Sequence, residues 1–275
     1  MLKEKLKDKI PKEILDKIPR SFDIIGNKEK AVAIIDWNEI YDRYKNEIAK
    51  AIMELNKNVK SVLFKKTPRK GNLRLYEFEI IGDRNTEVIH KEYGYFLKLD
   101  PTKVYFSPRE STERQRIASK VRENEKILYL FSGIAPFAFA IFKKIKDVRI
   151  YCIEINKYAI KYAEENKKIN KVENRLFNIL CDVRYLNLKE KFDRILVTLP
   201  ISTENFLIKA LEFAKENTVI HYYNWGKEDN LFEKALNDIE EATKLFNFNY
   251  EILEKIKVLP YAPKIYKVRI DFRVF

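Results

Sequence analysis

The 275-residue sequence predicts an α/β protein in two parts: a smaller α+β domain, then a doubly wound parallel sheet. Three observations carry this reading. Apolar β-like runs alternate with amphipathic helical runs from about Asn124 onward. Before residue 100 strands and helices are mixed without that alternation. At the C-terminus two long β runs follow one another directly, as an antiparallel pair would.

Each element has its own signal. Leu2, Leu6, Ile10, Ile14 and Ile18 recur four apart, drawing a drifting apolar stripe on a helix that prolines interrupt. SFDIIG and KAVAIID read as short strands, followed by an amphipathic helix over EIYDRYKNEIAKAIMELN and β runs SVLFKK, YEFEIIG and TEVIHKEYGYFLKLD. These make an N-terminal domain over 1–100. The remainder, 101–275, holds a connecting segment and then KILYLF, FAFAIFKKI, RIYCIEI, YAIKYAEENKKIN, RLFNIL, DRILVTL, ENFLIKALEFAKE and TVIHYY in strand–helix alternation. A helix over 229–245 and the runs NYEILEKIKVL and IYKVRIDFRVF complete it. A terminal antiparallel pair on a parallel sheet is the Rossmann-like arrangement of class I methyltransferases.

Composition narrows the function. Lys and Arg number 54 against 41 Asp and Glu, so the net charge of +13 suits a polyanion such as nucleic acid. A Lys-, Ile- and Glu-rich composition also arises from an AT-rich genome or a hot habitat, so charge alone does not decide. No apolar run reaches the roughly 20 residues that span a bilayer, and the N-terminus lacks a signal-peptide core. A cytoplasmic protein with no membrane partner is expected. Cys152 and Cys181 have neither metal-ligand nor disulfide spacing, and His90 and His221 lie in β runs without ligand partners. Core roles are expected for the two cysteines, structural roles for the two histidines, and no metal site.

The chemistry-bearing residues fall at strand ends. The first βα turn of the second part reads Phe131-Ser132-Gly133-Ile134-Ala135-Pro136-Phe137, with a single glycine. A diphosphate cradle of the G-x-G-x-x-G kind is therefore absent. Glu154 ends the second strand, 21 residues beyond Gly133, where a carboxylate grips ribose hydroxyls. Asp182 follows the third strand, placed for an adenine edge or its water. Three such features in order favour S-adenosylmethionine, with Phe131, Ser132, Gly133, Ile155, Val183 and Pro200 as its further neighbours. The alternative is a set of helix caps and turn residues common to any α/β sheet.

The segment IPRSFDIIGN, the run from Val104 to Arg109 with Ser111-Thr112-Glu113-Arg114, and FSGIAPF closely resemble the archaeal and eukaryotic tRNA guanine-37 N1-methyltransferase family. So do Asp182-Val183-Arg184, DRILVTLP, Ile220-His221-Tyr222-Tyr223 and Tyr261-Ala262-Pro263. The likeness covers essentially the whole chain, although a leading domain found in many members is not expected here. It implies methyl transfer from S-adenosylmethionine to N1 of guanine 37, in the tRNA anticodon loop. Relatives in the wyosine pathway methylate a precursor (4-demethylwyosine) or transfer an aminocarboxypropyl group at the same position. A non-catalytic tRNA-binding protein is the reading furthest from this.

By that resemblance Glu113 is the general base, its alternative a helix-surface salt bridge. Arg74 donates to guanine O6, its alternative a phosphate contact. Arg109 and Arg116 reach the cofactor carboxylate or the tRNA backbone, since a guanidinium fork suits either. Three departures stand out, the first being Tyr76 where a second arginine often follows Arg74. Thr198-Leu199-Pro200 replaces the usual Asn-Leu-Pro beside the methyl donor, and Ala135 stands where glycine is frequent.

Overall fold

The computed structural model describes residues 2–67, 71, 73, 75–198 and 205–275. Arg74, Leu199 and Pro200 lie outside these. Chain contacts divide the molecule into two units, Met1–Ser111 and Thr112–Phe275.

In the first unit, short helices α1 (Leu2–Leu6) and α2 (Lys12–Leu15) precede β1 (Asp23–Gly26) and β2 (Ala31–Asp36). A 3-10 segment (Glu39–Tyr44), α3 (Lys45–Leu55), β3 (Val59–Lys65) and β4 (Phe78–Gly82) follow. The sheet runs β1-β2-β3-β4, with β2 and β3 parallel and α3 as their crossover. Leu2, Leu6, Ile10 and Ile18 enter one core with Ile48, Ile52, Val62 and Phe64. The four-residue stripe thus buries against α3 and the sheet, each large aliphatic side chain contributing about 1.5–3 kcal/mol. The helix expected over 39–56 is broken: Asn38 caps the 3-10 segment through Ile40 N, Tyr41 leaves helical geometry, and its hydroxyl donates to Asp36 O. A hairpin of β5 (Val88–Glu92) and β6 (Tyr95–Leu99) turns at Tyr93-Gly94, both with positive φ, the geometry that a two-residue hairpin demands. It packs on β1, as does the 3-10 turn Pro108–Glu110. The sequence pattern changes near residue 100, yet the contacts keep these residues with the first unit.

The second unit opens with α4 (Ser111–Ala118) and alternates β7 (Lys126–Leu130), α5 (Pro136–Lys144), β8 (Arg149–Glu154), α6 (Lys157–Ile169) and β9 (Leu176–Leu180). It continues with β10 (Phe192–Val197), α7 (Phe206–Leu211), β11 (Ala214–Lys227), α8 (Glu233–Leu245), β12 (Tyr250–Ala262) and β13 (Ile265–Val274). The sheet order is β12-β13-β11-β10-β7-β8-β9, parallel from β11 to β9, with the antiparallel β12–β13 pair at the other edge. Strand order reverses between β7 and β10, and ligands of such sheets sit outside the C-terminal strand ends at that point. The helix expected over ENFLIKALEFAKE is shorter, because Ala214 already pairs with Phe192 and begins β11. Among the described residues no helix is long and apolar enough to cross a membrane, and no cluster of His, Cys, Asp and Glu is arranged to hold a metal.

Candidate active site

Parallel register brings the strand ends level: Leu130 pairs with Ile153 and Val197, and Glu154 with Leu180. The residues that follow those positions therefore share one edge. The turn after β7 is built from left-handed residues, with φ of 58° at Phe131, 56° at Gly133 and 63° at Ala135. Ala135 caps α5, and Pro136 supplies the fixed φ of the first helical turn. Ser132 N donates to Ile153 O at 3.1 Å, tying the turn to β8.

Glu154 is held by backbone amides: Gly133 N donates to Oε2 and Asn156 N to Oε1, each at 2.8 Å. Burial pushes its carboxyl pKa up, outweighing those amide bonds. No cation pairs with it among the described residues, so spare acceptor capacity remains on a half-buried carboxylate. Two vicinal hydroxyl donors fit this chemistry, whereas a phosphate would be repelled. Ile155, beside it, is partly exposed at 38%. Asp182 caps the 3-10 turn Val183–Tyr185 and pairs with Arg184 at 2.6 Å, and that bond, against burial, lowers its pKa. Sequence reasoning left Asp182 facing a ligand alone; in the structure Arg184 covers part of it. Val183 is buried beneath.

Thr198 closes the edge at the switch point. Its Oγ1 lies 3.0 Å from Leu130 O and 3.2 Å from Phe131 O. One hydroxyl proton serves those two carbonyls, so Thr198 locks the end of β10 to the turn and offers only acceptor lone pairs outward. Phe131 packs edge-on against Phe206.

Tyr222 pairs with Val197, which sets the next residue, Tyr223, at the level of Thr198. Tyr223 is fully buried and donates to Glu113 Oε1 at 2.8 Å. Arg269, its register partner on β13, also binds Oε1, and pairs with Glu254 at 2.5 Å and Asp271 at 2.7 Å. Arg116 holds Oε2 at 2.7 Å. Glu113 is thus a buried carboxylate rather than a surface one. Sequence reasoning gave no role to Tyr223 or Arg269; the signal available was an arginine in the apolar β run KVRIDFRV. His221 accepts from Arg194 on Nε2 and donates from Nδ1 to Asp271, both at 2.6 Å, since an arginine can only donate. Burial lowers its pKa. His90 accepts from Gly26 N, and Cys152 is buried while Cys181 is partly so.

The structure therefore gathers Phe131, Ser132, Gly133, Glu154, Ile155, Asp182, Val183 and Thr198 along one sheet edge, with Glu113 and Arg116 on α4. Arg109 belongs to the first unit, where it pairs with Asp23 at 2.6 Å. Sheet order, glycine-poor turn and strand-end carboxylate define a class I, Rossmann-like methyltransferase fold. The family described as the TRM5/TYW2 methyltransferase domain matches residues 88–253, and the TYW2 N-terminal domain matches residues 2–85. The chain belongs to the TRM5/TYW2 methyltransferase family. The tRNA (guanine(37)-N(1))-methyltransferase Trm5b of Pyrococcus abyssi is 42% identical over 96% of this chain and 78% of its own length. A Pyrococcus horikoshii tRNA(Phe) (4-demethylwyosine(37)-C(7)) aminocarboxypropyltransferase is 31% identical, over 100% of this chain and 96% of its own. The crystal structure of P. abyssi Trm5b superposes with a TM-score of 0.87 at 40% identity, covering 96% of this chain and 78% of that one. That of P. horikoshii TYW2 in complex with MeSAdo gives 0.82 at 29%, covering 100% and 98%.

Proposed function

We propose that this protein methylates N1 of guanine 37 in tRNA, in the cytoplasm, using S-adenosylmethionine. The observation that carries this is the buried Glu113 carboxylate at the level of the strand ends that fit a nucleoside cofactor. The 42% identity to a guanine-37 N1-methyltransferase supports the same reading.

Guanine N1 bears a proton at neutral pH and lies on the pairing edge, so the base must leave its stack and lose that proton. Bound S-adenosylmethionine would supply an electrophilic methyl group on a sulfonium. Glu154 would hold the ribose hydroxyls, with the Phe131–Gly133 turn, Ile155, Val183 and Pro200 around the nucleoside and Asp182 at the adenine edge. Glu113 would take the N1 proton as the N1–carbon bond forms and the sulfur–carbon bond breaks. Arg74 would donate to O6, stabilising the charge that deprotonation places there. Arg109 and Arg116 would meet anions of the cofactor or of the tRNA backbone. Thr198 would fix the turn beside the donor.

The match of residues 2–85 to the TYW2 N-terminal domain favours a second reading, aminocarboxypropyl transfer to a wyosine precursor. Incubating a guanine-37 transcript, and one carrying 4-demethylwyosine, with cofactor labelled in the methyl or in the carboxyl group separates the two. Methyl label in 1-methylguanosine is expected, and methyl label in the precursor transcript would add a second activity. Carboxyl label in the RNA would overturn methyl transfer.

A further inference from the structure

The two oxygens of Glu113 have different partners. Oε1 accepts from Tyr223 and from Arg269, which face each other across β11 and β13 and are both 0% exposed. Detaching Arg269 would strand a buried charge, so Oε1 is committed. Among the described residues Oε2 meets Arg116, three positions along the same helix, at 2.7 Å. That guanidinium is 38% exposed against 3% for the carboxylate. A half-exposed i, i+3 pair is weakly held, and its outer partner is open to competition.

Oε1 already accepts two bonds, so the lone pair left for a proton is on Oε2, the oxygen that Arg116 also holds. We propose that Arg116 is a positioning residue that latches Oε2 of Glu113 until an anionic group of an arriving ligand draws the guanidinium away. The oxygen that accepts the proton is then relieved of its arginine only in the loaded enzyme. This rests on Glu113 being the base. The competing group is an oxyanion able to take a guanidinium fork, either the carboxylate of the cofactor or a phosphate of the tRNA. Because latched and ligand-bound arrangements share one guanidinium, the latch lowers apparent affinity by the latched fraction.

The consequence is unusual for a catalytic side chain. Glu113→Gln removes the charge that holds Arg116, so the variant should bind the anionic ligand ~1.5–5-fold more tightly than the wild type, the range a partly exposed ion pair spans. In Glu113→Gln/Arg116→Gln that gain should vanish. The probes are S-adenosylhomocysteine, which carries the carboxylate, 5′-methylthioadenosine, which lacks it, and a tRNA transcript, each titrated by calorimetry. A gain for S-adenosylhomocysteine and not for methylthioadenosine identifies the cofactor carboxylate; a gain confined to the transcript identifies phosphate. Wild-type affinity of Glu113→Gln for all three, or a gain that survives in the double variant, overturns the latch. Should Glu113→Gln not fold, Arg116→Ala carries the test by binding alone: affinity for one anionic probe falls at least ~3-fold while that for methylthioadenosine is kept, and unchanged affinity for all three overturns it. Wild-type single-turnover rates in Glu113→Gln would instead remove the base reading, leaving the binding result to stand separately.

Discussion

Glu154 shows how one side chain couples a ligand to pH. Its carboxyl pKa is raised above the ordinary 4.5 because burial penalises the anion more than the amides of Asn156 and Gly133 reward it. The folded protein thus holds this proton more tightly than the unfolded chain does. Stability that Glu154 contributes at low pH is lost as pH rises from about 4.5 through the folded value. Ribose hydroxyls that donate to the carboxylate reverse the preference, since they bind the anion best. Affinity for S-adenosylhomocysteine should therefore rise with pH through the folded Glu154 value and then level off. Glu154→Gln should remove that dependence and weaken binding by ~1–3 kcal/mol, the cost of charge-assisted bonds to a half-buried group. Calorimetry in buffers of differing ionisation heat reads both. A pH profile unchanged by the substitution would take Glu154 out of the cofactor site.

At the scale of elements, the turn between β7 and α5 carries the most backbone tension. Phe131 and Ala135 adopt left-handed φ without being glycine, and αL costs an ordinary residue about 1–2 kcal/mol. Ala135 is fully buried, so its methyl returns roughly 0.8 kcal/mol of burial, and glycine would lose about 0.5–1 kcal/mol of chain entropy on folding. The terms nearly cancel. Ala135→Gly should shift the urea-unfolding free energy by less than about 1 kcal/mol, whereas Ala135→Val, β-branched at positive φ in a packed site, should cost more than about 2 kcal/mol. Equal effects of the two would mean that conformation does not govern this turn. The turn was legible in the sequence because strand-end punctuation is local: apolar run, Ser-Gly, then Pro at the helix start. The pairing of Glu113 with Arg269 was not, since the two lie 156 residues apart and meet only in the folded chain, where the register of β11 and β13 sets Arg269 opposite Tyr223. The break before α3 was hidden for a related reason. Amphipathic periodicity runs straight through Tyr41, and only its contact with Asp36 diverts the chain.

Across the whole molecule the alternation of strands and helices sufficed to foresee the parallel sheet, because burial on both faces writes continuous apolar runs into each strand. It did not foresee which charges would be used internally. Arg194 and Arg269 are buried in ion pairs with Glu125, Glu113, Glu254 and Asp271, and many surface lysines pair with nearby acids. Such pairs neutralise charge locally without altering the excess, so the net +13 must reside on cations that have no acid to match. A polyanion meets that excess and releases counterions from its phosphates; a cofactor with one carboxylate releases almost none. Between 50 and 300 mM KCl, log Kd for the tRNA transcript should rise with log[salt] at a slope of ~2–5, as three to seven phosphate contacts would give, against ~1 or less for S-adenosylhomocysteine. Substituting single exposed lysines should lower the tRNA slope by at most about one each and leave the cofactor untouched. Filter binding for the RNA and calorimetry for the cofactor, in the same salt series, make the comparison. Equal slopes for the two ligands would show the basic excess to be a feature of composition alone, unconnected with the RNA.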